Sequence, residues 1–205
     1  MIINLNKKGL TLIEVLFAFS IFLFVTFGTF TLYSISSKAD RNIWESSFVQ
    51  SSASKIAQTF VDEIRTANYS TVGGYPLALA TSTEIIFFAN IDSDNLIERV
   101  RYFADGNIFK KGITKPTEEI LYKYNTSTEI VAELIYNLKT PLEPIFYYYD
   151  ESYNGATATS SMSYPILLPY IQVVGIKLRV NQNSNINAPF FEIETKAQLR
   201  NLKAN

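Results

Sequence analysis

Neither cysteine nor histidine occurs anywhere in the 205 residues. Without cysteine there is no disulfide, no thiolate nucleophile and no sulfur-held metal. Without histidine the commonest general base, the usual partner of a serine nucleophile and the usual transition-metal ligand are missing as well. Aspartates and glutamates remain, but no pair of them stands in a recognisable catalytic frame, so no reaction is expected of this chain. Charge is equally unhelpful to a nucleic-acid reading: 18 basic residues against 19 acidic ones leave a net charge of −1. No concentrated Lys/Arg patch accompanies the aromatic residues, and nucleic acid is not an expected partner.

What the sequence has in excess is one apolar run. Between Gly9 and Ser37 the only charge is Glu14, and no proline interrupts. The run is longer than the roughly 20 residues a helix needs to cross a bilayer core. Lys7 and Lys8 flank its start, while Lys38, Asp40 and Arg41 flank its end with mixed sign. The positive-inside rule then places the N-terminus in the cytoplasm and the rest outside, in contact with cytoplasmic-membrane lipids.

A cleaved secretory signal competes with this reading, since small residues lie around Ser34, Ser37 and Ala39. Its apolar region is normally about 7–15 residues, shorter than this one, and the reading leaves Glu14 unexplained. A cut between Gly9 and Leu10 does explain it. The apolar run stays attached, Leu10 gains an α-amino group, and Glu14 becomes the fifth residue of the new chain. A carboxylate is favoured there by the helix dipole. In a side-by-side array, Glu14 of one chain can neutralise the Leu10 amine of its neighbour. An isolated mid-span charge costs on the order of 3 kcal/mol on insertion scales, so pairing gives such helices a reason to associate in register.

The stretch Lys7-Lys8-Gly9-Leu10-Thr11-Leu12-Ile13-Glu14-Val15 resembles the processing motif of type IV pilins and the pseudopilins of type II secretion. The resemblance implies that a prepilin peptidase cuts after Gly9 and methylates the new N-terminal Leu10. It implies that Lys7 and Lys8 form the basic leader and that Glu14 is the assembly carboxylate. Other pilins or pseudopilins would be the partners. Leu10 departs from the more usual phenylalanine. The span lacks the kinking proline, and the head lacks the cysteine pair, that major pilins often carry. A plain single-span anchor remains the alternative for the segment, but it gives no reason for the leader spacing.

Beyond the run, Trp44, Phe48, Ile56, Phe60 and Ile64 fall on a four-residue repeat whose one polar member is Ser52. Val49, Ala53, Ala57 and Val61 support it, which is the stripe of an amphipathic helix. The division expected is a cleaved leader over 1–9, a membrane or filament-core helix over 10–37, an amphipathic continuation over 38–67 and a β-rich head over 68–205. The fold class expected is α+β, a long N-terminal helix packed on an antiparallel sheet.

Strands are expected over 84–89, 97–104, 107–111 and 120–124, with a turn at 92–95 and a hairpin signal at Asp105-Gly106. Residues 128–138 read equally as helix or strand. An aromatic strand is expected over 144–149 and two long ones over 170–181 and 188–199, with Gly175 marking a bulge. Residues 150–163, rich in small and polar types, read as a mobile loop.

Val100-Arg101-Tyr102-Phe103-Ala104-Asp105-Gly106-Asn107-Ile108-Phe109-Lys110, Ile145-Phe146-Tyr147-Tyr148-Tyr149-Asp150 and Leu199-Arg200-Asn201-Leu202 resemble the J-type minor pseudopilins and PilW-like minor pilins. That implies a tip or initiating subunit. Two ligand readings accompany it. Asp92 and Asp94, with Asn95 and Glu98 nearby, imitate the start of a calcium loop but lack its glycine and distal glutamate, and no other cofactor is expected. The tyrosines of 147–149 suit either stacking on a glycan or packing, the former belonging to a pilus-tip binding module for adhesion or DNA uptake.

Overall fold

The computed structural model describes residues 9, 11–92, 94–117, 121–139, 143–155, 160–182 and 189–200, with 38–46 described by backbone alone. The chain forms two compact units, Met1–Glu45 and Ser46–Asn205. One helix, α1 (Leu12–Arg65), contributes to both.

In the first unit α1 is apolar all round, and its span Leu12–Ser37 buries nothing within the chain. Leu12, Phe17, Phe24 and Phe27 are all exposed. The hydroxyls of this span are satisfied locally. Ser20, Thr26, Thr29, Thr31 and Ser34 each donate to the carbonyl four residues back, at 2.6–3.1 Å. A helix that presents only hydrocarbon outward and returns its hydroxyls to its own backbone suits a lipid or a bundle of like helices.

In the second unit the amphipathic part of α1 lies on β-structure. Its buried stripe is Ala53, Ala57, Phe60, Val61 and Ile64. Phe48, expected on that stripe, is exposed, and the side chain of Trp44 lies outside the described residues. The head strands are β1 (Leu77–Ala80), β2 (Glu84–Ala89), β3 (Glu98–Asp105), β4 (Ile108–Thr114), β5 (Pro116–Thr117), β6 (Lys123–Tyr124), β7 (Ile130–Ile135), β8 (Phe146–Tyr149), β9 (Val173–Asn181) and β10 (Phe190–Gln198). They form an antiparallel sheet in the order β1-β2-β3-β4-β7, a second in the order β10-β9-β8, and a small β5-β6 ladder. The ambiguous stretch 128–138 is thus the edge strand β7, preceded by a single turn at Thr126–Thr128.

Phe60 of α1 is the meeting point of the two larger sheets. Its ring centroid lies 5.2 Å from that of Tyr102 in β3, 6.3 Å from Phe87 in β2 and 5.6 Å from Phe146 in β8. Two of these contacts are edge-on, the arrangement aromatic quadrupoles prefer. Around them Ile85, Val100, Phe109, Ile176 and Leu178 close one apolar core. The result is the α+β architecture expected, a long apolar N-terminal helix followed by antiparallel sheets packed on its continuation.

Three expectations about the strands are corrected. Gly175 marks no bulge, for β9 pairs without interruption with both β10 and β8. A Cβ there would lie 3.4–3.6 Å from Lys196, Tyr149 and Tyr147, so the glycine makes room for neighbouring side chains. The irregularities fall instead at Leu77/Leu79 and Phe109/Lys110. The β3–β4 hairpin turns on Gly106-Asn107, not on Asp105-Gly106, with Asp105 paired to Ile108 and a positive φ at Gly106. Finally, β1 forms from Leu-Ala-Leu-Ala, a segment not expected to be a strand.

Candidate functional site

The first turn of α1 carries the candidate site. Thr11 is not helical, yet its carbonyl accepts from the Val15 amide at 3.3 Å, which makes it the N-cap. Its hydroxyl accepts from the Glu14 amide at 3.4 Å. The Glu14 carboxylate reaches back and accepts from the Thr11 amide and hydroxyl, each at 2.9 Å. This is a capping box, two otherwise unpaired amides satisfied reciprocally. The spacing Thr11-Leu12-Ile13-Glu14 is its sequence signature, a signal additional to the processing motif in the same residues.

Both Thr11 bonds fall on Oε2 of Glu14. A carboxylate has acceptor capacity on each oxygen, and among the described residues Oε1 takes no donor. Glu14 therefore has a local structural role that does not consume it. Gly9 is exposed, and a side chain built at its position would meet nothing within 4 Å. Nothing among the described residues asks for glycine there. Lys7, Lys8 and Leu10 lie outside the described residues.

In the head, Glu63 of α1 accepts from the Tyr102 hydroxyl at 2.8 Å and from the Lys111 ammonium, which ties the helix to β3 and β4. Burial, reinforced by the Glu63 charge, pushes the Tyr102 hydroxyl far above the ordinary phenol range. On the outer face of the second sheet, Lys177 pairs with Glu192 at 3.2 Å and Glu194 at 3.0 Å. Arg179 pairs with Glu192 and Glu143. Lys196 lies 4.9 Å over the Tyr149 ring and 5.4 Å over Tyr153. Tyr148 and Tyr149 are both buried, with Lys196 and Tyr153 against the Tyr149 ring, so these two rings pack and form no open stacking platform.

The turn between β2 and β3 brings Asp92, Asp94 and Glu98 together, with a ligand oxygen of each within 4.8 Å of the others. Glu98 sits on the inward row of β3 beside Val100 and Tyr102, and its side chain is wholly buried. Burial raises its carboxyl above the usual range, and the Asp92 and Asp94 charges add to the effect. The Asp150 carboxylate, by contrast, spends its Oδ1 on the amide and hydroxyl of Ser152 at 2.9 and 2.6 Å. Part of the 150–163 loop, 156–159, lies outside the described residues. Met162 is held by its amide on the Tyr148 carbonyl at 2.8 Å.

The family model for the prokaryotic N-terminal methylation motif matches residues 4–30. No curated protein matches the chain. The chain thus carries a prepilin-type N-terminal methylation motif, of the kind typical of type IV pilins and type II secretion pseudopilins, and the motif implies processing by a prepilin peptidase.

Proposed function

We propose that this chain is a minor pilin or pseudopilin, a structural subunit that acts at the tip or in the initiation of a filament. Its prepilin is anchored in the cytoplasmic membrane by the helix after Gly9, with the leader in the cytoplasm and the head outside. Prepilin peptidase cuts between Gly9 and Leu10 and methylates the Leu10 amine. A peptidase that needs a slim, extended backbone at the cut accounts for a glycine that the fold itself does not require. The processed helix then leaves the bilayer for a bundle of like helices, where the hydrocarbon surface of Leu12–Ser37 finds its partners.

The observation that carries this reading is the geometry of Glu14. Its Oε2 caps its own helix through Thr11, and its Oε1, which takes no donor among the described residues, is left for a neighbour's. A methylated Leu10 amine of an adjacent subunit is such a donor, and the contact fixes one register between helices that hydrocarbon packing alone would let slide. The tip role draws on the likeness of the head to J-type minor pseudopilins and PilW-like minor pilins. A glycan-stacking role for the tyrosine strand is not favoured, because Tyr148 and Tyr149 are buried.

The test is incorporation. Glu14→Ala and Glu14→Gln are expressed with the remaining assembly components, and membrane and sheared-filament fractions are compared. Both variants are expected to insert and to lose their leader, yet to be depleted from filaments about tenfold or more, as loss of a pairing worth ~1.4 kcal/mol or more would produce. Incorporation of Glu14→Ala at the wild-type level would overturn the role given to Glu14.

A further inference from the structure

The β2–β3 turn places a charge where the fold has no evident use for it. Strand β3 alternates, with Glu98, Val100 and Tyr102 buried and Arg99 and Arg101 half-buried between them. An inward glutamate at 0% exposure should be paired or hydrogen-bonded through both oxygens. Only Oε2 is, accepting from the Ile91 amide at 3.1 Å. Among the described residues Oε1 finds no partner though it is buried, and neither do Asn90 Oδ1 and Thr114 Oγ1. These three groups lie at the same end of the sheet. Asn90 follows β2, Glu98 opens β3 opposite Ala89, and Thr114 ends β4 opposite Arg99. Among the described residues only Asn181 Oδ1 shares their condition elsewhere.

The groups in front of Glu98 already hold a cation. Asp92 and Asp94 each use Oδ1 to shape the turn, accepting from the Asp94 amide at 3.3 Å and the Leu96 amide at 2.7 Å. Their Oδ2 atoms both face the Lys115 ammonium. Among the described residues, three carboxylates against one ammonium leave an excess of two negative charges at the turn. The ammonium is exposed, and it makes no bond to Glu98.

We propose that this turn is a binding site for a hard divalent cation, calcium by class. Asp92, Asp94 and Glu98 supply carboxylate oxygens, Asn90 an amide oxygen, and the ion displaces the Lys115 ammonium. The spacing suits it. Oxygens on opposite sides of one calcium ion, each about 2.4 Å from it, are ~4.8 Å apart, and the three carboxylates fall within 4.8 Å of one another. The donor set contains only oxygen, which selects hard cations over zinc or copper. Several protein oxygens on one short turn suit the irregular shell of calcium better than the strict octahedron of magnesium, which retains most of its water. Calcium would give the orphaned Glu98 oxygen its partner and lock the β2–β3 turn to the end of β4. The inference does not depend on the filament assignment.

The test uses the full-length protein in detergent, stripped with EDTA and desalted. Binding of radioactive calcium is followed by equilibrium dialysis, and unfolding by near-ultraviolet circular dichroism at constant ionic strength. Wild type is expected to bind one calcium, not displaced by equimolar magnesium, and to unfold at higher temperature when calcium is present. Glu98→Gln should bind about tenfold more weakly or worse, since charge count sets affinity in such sites. Lys115→Met should bind more tightly than wild type, because the competing ammonium is gone. If Glu98→Gln does not fold, wild type and Lys115→Met still decide the matter. Absence of saturable binding to both at millimolar calcium would overturn the proposal. So would weaker binding by Lys115→Met, a Glu98→Gln variant that binds like wild type, or an equal response to magnesium.

Discussion

Two glutamates show how differently one residue type is used in this chain. Glu14 lies in the apolar helix but is solvated by its own backbone through Thr11. Removing the cap should loosen the helix start without affecting the head. Thr11→Ala is expected to cost about 1 kcal/mol at the first turn, read as a roughly fivefold loss of hydrogen-exchange protection confined to the first-turn amides. Glu98 is the opposite case, a buried carboxyl facing Asp92, Asp94 and Lys115 whose folded pKa is raised, chiefly by burial. A raised folded pKa means that the stability this group contributes is present in acid, below the unfolded pKa of about 4.3, and is lost as pH rises through the folded value. Without divalent cations, Glu98→Gln should therefore gain thermal stability relative to wild type between pH 4 and pH 7, as a paired melting series would record. A constant difference across that range would show that ionisation of Glu98 carries no such penalty. At this scale the sequence was only partly legible. Asp92 and Asp94 are readable as acidic turn residues, whereas the inward placement of Glu98 and the orphaned Asn90 oxygen depend on where β3 begins and which side faces the core.

The elements are held together at the crossing of α1 with the two larger sheets. Phe60 touches Phe87, Tyr102 and Phe146, so Phe60→Ala should destabilise the head by about 3–5 kcal/mol, the range for deleting a fully buried aromatic. Tyr102→Phe removes only the hydrogen bond to Glu63. It should cost about 1–3 kcal/mol, since the half-buried Glu63 acceptor keeps Lys111 as a partner. Urea melts of the two variants test both figures, and an order reversed between them would contradict the arrangement. Apolar periodicity made the helix and most strands legible, and Glu84–Ala89 falls where Ile85-Ile86-Phe87-Phe88 places it. Leu-Ala-Leu-Ala of β1 was not legible, because none of its residues is β-branched or aromatic and its strand state comes from pairing with β2. The partition of strands into separate sheets was hidden as well, since it is set by long-range pairing. Phe48 illustrates the same limit, for helical period places it on the stripe yet it stays exposed.

At the scale of the whole molecule, the chain joins an apolar helical unit that buries nothing of its own to a head with a complete core. Such a division makes sense for a subunit whose helix is stored in lipid and later buried among other helices, and the processing motif at its start is what would release it. The central claim is that Gly9–Leu10 is a processing site. Intact mass and N-terminal sequencing of the membrane-extracted protein test it, after co-expression with a prepilin peptidase, for wild type and Gly9→Ala. The account predicts a wild-type chain that begins at Leu10 with one added methyl group, and a Gly9→Ala chain that keeps its leader. A chain that begins at Met1 in both would contradict it and leave a plain membrane anchor, and a chain that begins near Asp40 would make the apolar run a secretory signal.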